Sequence, residues 1–169
     1  MDVTTLSHLI EEGGVVRHSG GLRVKVHSFW AVPGENRLSY TTLIRLIECC
    51  REHHWDIDIK PLTDGIPLDS ICKSITGEFI KPVPLESLMS ITYRVTDVRS
   101  KGYSLDFYVQ HETDGALHAS VSMVSVFYDP NLGVSITPPQ SVLDRLTDLL
   151  AQSRYMEPSL LRGASVQNG

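Results

Sequence analysis

Glu48 is the residue of this chain best suited to acid–base chemistry. It falls inside Leu43-Ile44-Arg45-Leu46-Ile47-Glu48-Cys49-Cys50-Arg51-Glu52, a run whose apolar spacing is helical. Burial among Leu46, Ile47 and their neighbours would raise its pKa toward the range a general base needs. The competing reading is a solvent-facing or Arg45-paired carboxylate. Upstream lies a Pro-Gly loop, Val32-Pro33-Gly34-Glu35-Asn36-Arg37-Leu38-Ser39. It holds a second carboxylate, Glu35, and Asn36, an amide able to orient a carbonyl or water and equally good as a turn residue. Ser39-Tyr40-Thr41-Thr42 opens the helix, where first-turn N–H groups and the positive dipole end suit an oxyanion. Ser39 reads as an N-cap rather than a nucleophile, because no histidine stands at a spacing that would activate it. A carboxylate to activate water and a helix end to hold an oxyanion are what addition to a carbonyl requires.

Other reactive side chains have plainer readings. His53 and His54 close the helix and complement its dipole; a metal role would need a third ligand, for which Asp56 and Asp58 are weak hints. His27 and His111 read as structural or exposed. Cys49 and Cys50 are adjacent, so on a helix they point about 100° apart and do not form a ligand pair; with Cys72 they make an odd set of three, a poor disulfide framework that fits a reduced compartment.

The elements that must position these residues follow from periodicity. Residues 3–12 read as a short amphipathic helix stopped by Gly13-Gly14. Residues 22–29 alternate as a first strand, and Ser39 to about His54 form the helix, with Leu43, Leu46, Ile47 and Cys50 facing the core. Trp55 to Lys60 alternates and reads as a short extension, and Pro61 to Leu68 as a loop. Ile71 to Val83 is a second strand with Gly77 as a bulge or close-approach point. Three hairpin-linked strands follow, Met89 to Arg99, Tyr103 to Glu112 and Leu117 to Tyr128. Val142, Leu143, Leu146, Leu149 and Leu150 mark a closing amphipathic helix, and the polar residues from about Ser153 read as a frayed tail. The expected architecture is α+β, an antiparallel β-sheet with a long α-helix. Residues 1–20 are a helix and lead-in, 21–130 the domain, and 131–169 a helix and tail.

The 169 residues suit one domain, with 41% hydrophobic and 21% charged residues. No window approaches the ~18 apolar residues of a membrane span, and the N-terminus lacks the basic-then-apolar order of a signal peptide, so a cytoplasmic protein with no membrane partner is expected. The net charge of -5 argues against nucleic acid, which needs a basic face. The sheet's edge strands favour self-association.

Two stretches carry a family resemblance. The loop and helix from Trp30 to Glu52 look like the opening of hot-dog-fold acyl thioesterases. The run Ile75-Thr76-Gly77-Glu78-Phe79-Ile80-Lys81-Pro82-Val83-Pro84-Leu85 resembles their second strand. The hairpin from Arg99 to Leu105 and the final Val124 to Asp129 are similarly placed, so the resemblance covers roughly residues 22–130. It implies one hot-dog domain, a sheet wrapped around a central helix, at least dimeric (homodimer or homotetramer). It also implies an acyl-CoA or acyl-carrier-protein substrate hydrolysed to free acid and thiol, with no cofactor and no metal. Many members carry an Asp in the loop before the helix; Pro33 stands there in this chain, and the Asp and His spacing of the hydratase branch is missing too. The resemblance therefore leaves Glu48 as base, with Glu35 second, Asn36 positioning water, and Ser39 and Tyr40 at the helix start. Thr41, Glu78 and Phe79 are expected in the substrate pocket, with Lys81, Arg99, Lys101 and Ser104 at the phosphates of CoA. Phe79, Leu88, Met89, Met123 and Phe127 could line an acyl channel, although each also reads as core. Two rivals stand: a dehydratase, cyclase or tailoring enzyme of polyketide or fatty-acid assembly on the same fold, and a non-catalytic acyl-binding module.

Overall fold

A computed structural model describes residues 14–18 and 20–155. The helix expected over 3–12 and the tail beyond 155 lie outside the described residues. In chain order the elements are β1 (Val15–His18), β2 (Gly21–Lys25), a 3-10 turn at Ser28–Trp30, α1 (Tyr40–His54), a π turn at Trp55–Ile59 and a second 3-10 turn at Lys60–Leu62. Then come β3 (Asp69–Phe79), β4 (Leu88–Arg99), β5 (Gly102–His111), β6 (Leu117–Asp129), β7 (Val134–Ser135) and α2 (Gln140–Tyr155). The strands form one antiparallel sheet in the order β1-β2-β4-β5-β6-β3, with β7 beside β6.

Alternation decides which face is the inside. In β4 to β6, Met89, Ile91, Val95, Leu105, Phe107, Val109, Ala119, Val121, Met123, Ser125 and Phe127 are all buried, at even spacings along each strand, as a one-sided sheet requires. α1 closes that face with Leu43, Leu46, Ile47 and Cys50, and the Cys50 thiol donates to the Ile91 carbonyl at 3.5 Å. Burying each Leu or Ile of that stripe contributes about 1.5–3 kcal/mol. α2 lies against β4 and the π turn, burying Val142 and Leu146, and its Ser141 hydroxyl donates to the Leu62 carbonyl at 3.0 Å.

Several expectations need correction. The first strand ends at Lys25, not Phe29: residues 28–30 turn into a 3-10 segment, where Phe29 stacks on His27 and Trp30 meets both rings edge-on. A strand, β1, stands where a lead-in was expected. The alternation of Trp55 to Lys60 is not a strand; α1 runs on into the π turn. β3 starts at Asp69 and stops at Phe79, and its register shifts at Lys73 rather than Gly77. Gly77 is a close-approach point, since a Cβ there would lie 3.1 Å from the Val121 side chain. Ser39 stands at the N-cap position, but its side chain makes no capping bond; its carbonyl accepts from Leu43 N at 2.9 Å. α2 extends to Tyr155, and Ser153, expected to begin the tail, is a buried helical residue whose hydroxyl donates to the Leu149 carbonyl at 2.8 Å.

Candidate active site

The sheet curls around α1, and its last strand, β3, meets that helix through contacts running antiparallel along the two elements. Tyr40, at the start of α1, touches Phe79, at the end of β3, with ring centroids 4.6 Å apart. Further along α1, Arg51 reaches Ser70, near the start of β3, its Nη1 donating to the Ser70 hydroxyl at 3.1 Å. Ile75 and Phe79 are exposed on this inner face.

Glu48 stands toward the Arg51 end. Its side chain is 36% exposed, so the burial the sequence reading relied on is absent, as in the competing solvent-facing reading, and its ion pair is with Arg51. Arg51 donates from Nε at 2.9 Å and from Nη2 at 2.6 Å, both to Oε1. Burial alone would lower the Arg51 pKa; the bond and charge of Glu48 outweigh it and the pKa rises. Glu52 is pushed up, by burial first and then by Glu48 beside it. Burial also raises the Cys72 thiol, as does the charge of Glu48, while Arg51 opposes.

The helix-start residues gather separately. Glu35 is ion-paired with Arg37, whose guanidinium lies 4.8 Å over the Tyr40 ring. Asn36 and Thr41 are exposed and Ser39 half-buried beside them. From Tyr40 to Glu48 the helix rises eight steps of about 1.5 Å, about 12 Å in all. A general base works at hydrogen-bond reach or through one water, so one chain does not bring its own helix start and its own Glu48 to one carbonyl.

A third place is a cleft of about 310 Å³ lined by Lys73, Arg99, Lys101 and Ser104, with Gly102 and Val124 among its walls. The β4–β5 turn and the register shift of β3 build it together. Gly102 is required there, because a Cβ would fall 2.4 Å from the Ser125 carbonyl. Arg99 donates to Asp97 at 2.6 Å and Lys101 to the Ser135 carbonyl at 3.3 Å. Lys81, expected with these cations, lies past the Phe79 end of β3, its N–H on the His118 carbonyl, away from the cleft.

Other expected positions fall elsewhere. Glu78 pairs with Ser120, on the face opposite Gly77 and Phe79, and so points away from the helix instead of lining a pocket across from it. Met89, Met123 and Phe127 are fully packed core and Leu88 is exposed, so they form no channel. His53 and His54 are buried, and the helix does not end there, which removes the dipole role. His53 Nε2 bonds the His18 carbonyl at 2.9 Å, and His54 Nδ1 donates to Asp58 at 2.9 Å. Asp58 accepts as well from Tyr93 at 2.8 Å and from Arg145 of α2. Among the described residues no group of three His, Cys, Asp or Glu is placed to hold a metal ion, and no helix is long and apolar enough to cross a membrane.

Sequence reasoning missed Arg51, Ser70 and Lys73. Arg51 had a signal, standing three residues after Glu48 and so on the same helix face. Ser70 and Lys73 had none without the curl and register of β3.

A long helix in the curl of an antiparallel sheet is the hot-dog architecture, and solved hot-dog structures share it. A Staphylococcus aureus protein in complex with CoA superposes with a TM-score of 0.69 at 11% identity, over 76% of this chain and 82% of that one. A 1,4-dihydroxy-2-naphthoyl-CoA thioesterase from Synechocystis gives 0.65 at 10%, over 77% and 96%. A Thermus thermophilus thioesterase complexed with coenzyme A and Zn gives 0.65 at 16%, over 82% and 98%. At such identities the likeness is one of fold. No curated protein matches the sequence. Residues 28–146 match the model of the thioesterase-like superfamily, and the chain belongs to that superfamily.

Proposed function

We propose that this protein hydrolyses acyl thioesters, of coenzyme A or a carrier protein, to a free acid and a thiol. Glu48 takes a proton from water, the hydroxide oxygen bonds to the carbonyl carbon, and the carbon–sulfur bond breaks with the proton returning to the thiolate. The observation carrying this reading is that Glu48 stands partly exposed beside β3 with only Oε1 engaged, in a chain of the thioesterase-like superfamily. The Lys73, Arg99 and Lys101 cleft would take the phosphates of CoA, with Ser104 as a further donor. Lys73 adjoins Cys72, which pairs with Ser125 on the inner face of β3 and feels the charge of Glu48. The three free cysteines support a reducing, cytoplasmic setting.

A second copy would complete the site. β3 is the last strand of the sheet, and Ile71, Ile75, Phe79 and Ile80 are exposed on or beside it. Antiparallel pairing of two β3 edges about Ser74 and Ile75 sets the Phe79 end of one against the Ile71 end of the other. That brings the helix start of one copy, with Glu35, Asn36, Ser39, Tyr40 and Thr41, toward Glu48 of the other. The N–H groups of that helix start then supply the oxyanion donors.

Thiol release from short, long and aromatic acyl-CoAs, followed with a thiol-reactive dye, tests the reading beside Glu48→Gln. The expected result is a folded variant that loses about 100-fold or more in kcat. Full turnover in it would remove Glu48 from the chemistry. Tight acyl-CoA binding by the wild type without release would mark a binding module, and products other than free acid a tailoring enzyme.

A further inference from the structure

We infer that Arg51, anchored by Ser70, is a positioning residue for Glu48: it holds one carboxylate oxygen fixed so that the other is left to accept the proton of the attacking water. The inference rests on the reading of Glu48 as base and adds two residues to it.

The geometry is specific. All three nitrogens of the Arg51 guanidinium are engaged, Nε and Nη2 on Glu48 Oε1 and Nη1 on the Ser70 hydroxyl. Glu48 Oε2 has no hydrogen-bond partner among the described residues, so the pair is asymmetric where an arginine fork usually spans both oxygens. Arg51 is only 11% exposed on its side chain, which separates it from the mobile surface pairs that contribute little. Its anchor is rigid as well. Ser70 is buried and belongs to β3, so the guanidinium is tied to two elements at once, and behind it lie the buried Tyr103 and Ser125 hydroxyls, close to Ser70 but outside hydrogen-bond geometry. The remaining titratable neighbours of Glu48 are Cys49 and Glu52 on α1, Cys72 on β3 and Tyr103 on β5. None of them offers a positive charge, and Arg51 is the cation bonded to the carboxylate. An unfixed Glu48 swings between rotamers and loses orientation, and misplacement of a reacting group is costly to turnover.

The experiment compares Arg51→Gln, Arg51→Lys, Ser70→Ala and Glu48→Gln in the full chain, with kcat and KM measured on the best acyl-CoA and thermal midpoints recorded. Arg51→Gln is expected to lose about 10- to 100-fold in kcat with KM little changed. Arg51→Lys, a point charge that cannot hold the fork geometry, should recover only part, and added methylguanidinium should raise the turnover of Arg51→Gln but not of Glu48→Gln. Ser70→Ala should lose about 3- to 10-fold. A dead Glu48→Gln beside an Arg51→Gln of wild-type kcat overturns the positioning role and leaves the base in place. A loss in Arg51→Gln that tracks a fallen thermal midpoint and resists methylguanidinium also overturns it, because the arginine is then only structural. An active Glu48→Gln, or no thiol release from any thioester, removes the base and the inference together.

Discussion

Asp58 shows how this chain keeps charge inside its core. Burial pushes its pKa up, but donors from His54, Arg145 and Tyr93 outweigh that and hold it well below the usual carboxylate range. His54 is pushed the other way, down from its ordinary value, by burial first; Asp58 opposes, and the nearby charges of Arg145 and Arg51 lower it further. The imidazole is therefore neutral, with Nδ1–H on Asp58 and Nε2 buried and without a partner. An unfolded histidine titrates near pH 6.5, so below that pH the unfolded chain binds a proton that the folded chain refuses. The stability contributed by His54 is complete above about pH 6.5 and is lost as pH falls toward its depressed folded value. Asp58 titrates far lower and stays constant across this window. Thermal midpoints taken from pH 7.5 to pH 5 should fall for the wild type, and His54→Phe, though less stable at neutral pH, should fall less steeply. A parallel decline in both proteins would mean that His54 is not the group responsible.

At the level of elements, the cation cleft exists because a turn and a register shift meet. The shift at Lys73 in β3 sets it against the Ser100-Lys101 turn that joins β4 to β5. If the cleft takes CoA phosphates, Lys73→Ala and Lys101→Ala should each raise KM for an acyl-CoA by about fivefold. The same acyl group on N-acetylcysteamine, which has no phosphate, should be turned over as by the wild type. Equal KM changes on both substrates would place the phosphates elsewhere. This cleft was half legible in the sequence: Arg99, Lys101 and Ser104 come from one hairpin, whereas Lys73 arrives through a non-local pairing that no local pattern encodes. The fold divides the same way. α1 and the hairpins β4 to β6 could be read because one face of each is buried and the period is clean. β1 could not, since only Val15 of its four residues is buried. The π turn misled because Trp55, Ile57 and Ile59 alternate like a strand, yet Ile57 is exposed and the wider turn serves to carry Asp58 back to His54. Glu48 could be nominated from type and helical context, but its environment could not. Whether a helical carboxylate is buried or paired depends on which strand curls beside it.

The whole molecule poses a question that its single chain leaves open in physical terms. β3 is an eleven-residue edge strand, and it exposes Ile71, Ile75 and Phe79 along a row of unpaired backbone groups. Natural sheets avoid such edges unless something covers them, and no charge or proline on this strand interrupts the apolar row between Ile75 and Phe79 except Glu78, which faces outward. A second copy pairing edge to edge satisfies both the backbone and the isoleucines, and it also closes the roughly 12 Å gap between a helix start and Glu48 that one chain cannot bridge. Covering and catalysis thus make the same demand on the same strand. Thr76→Lys puts a charge near the middle of the pairing, on the face of β3 away from Glu48 and Arg51. Sedimentation should show the wild type as a dimer or larger and the variant as a folded monomer, and thiol release by that monomer should fall at least about tenfold. A variant that stays dimeric would move the interface off β3. A monomer with full turnover would mean that each chain carries a complete site, and the oxyanion donors would then have to be found within reach of its own Glu48.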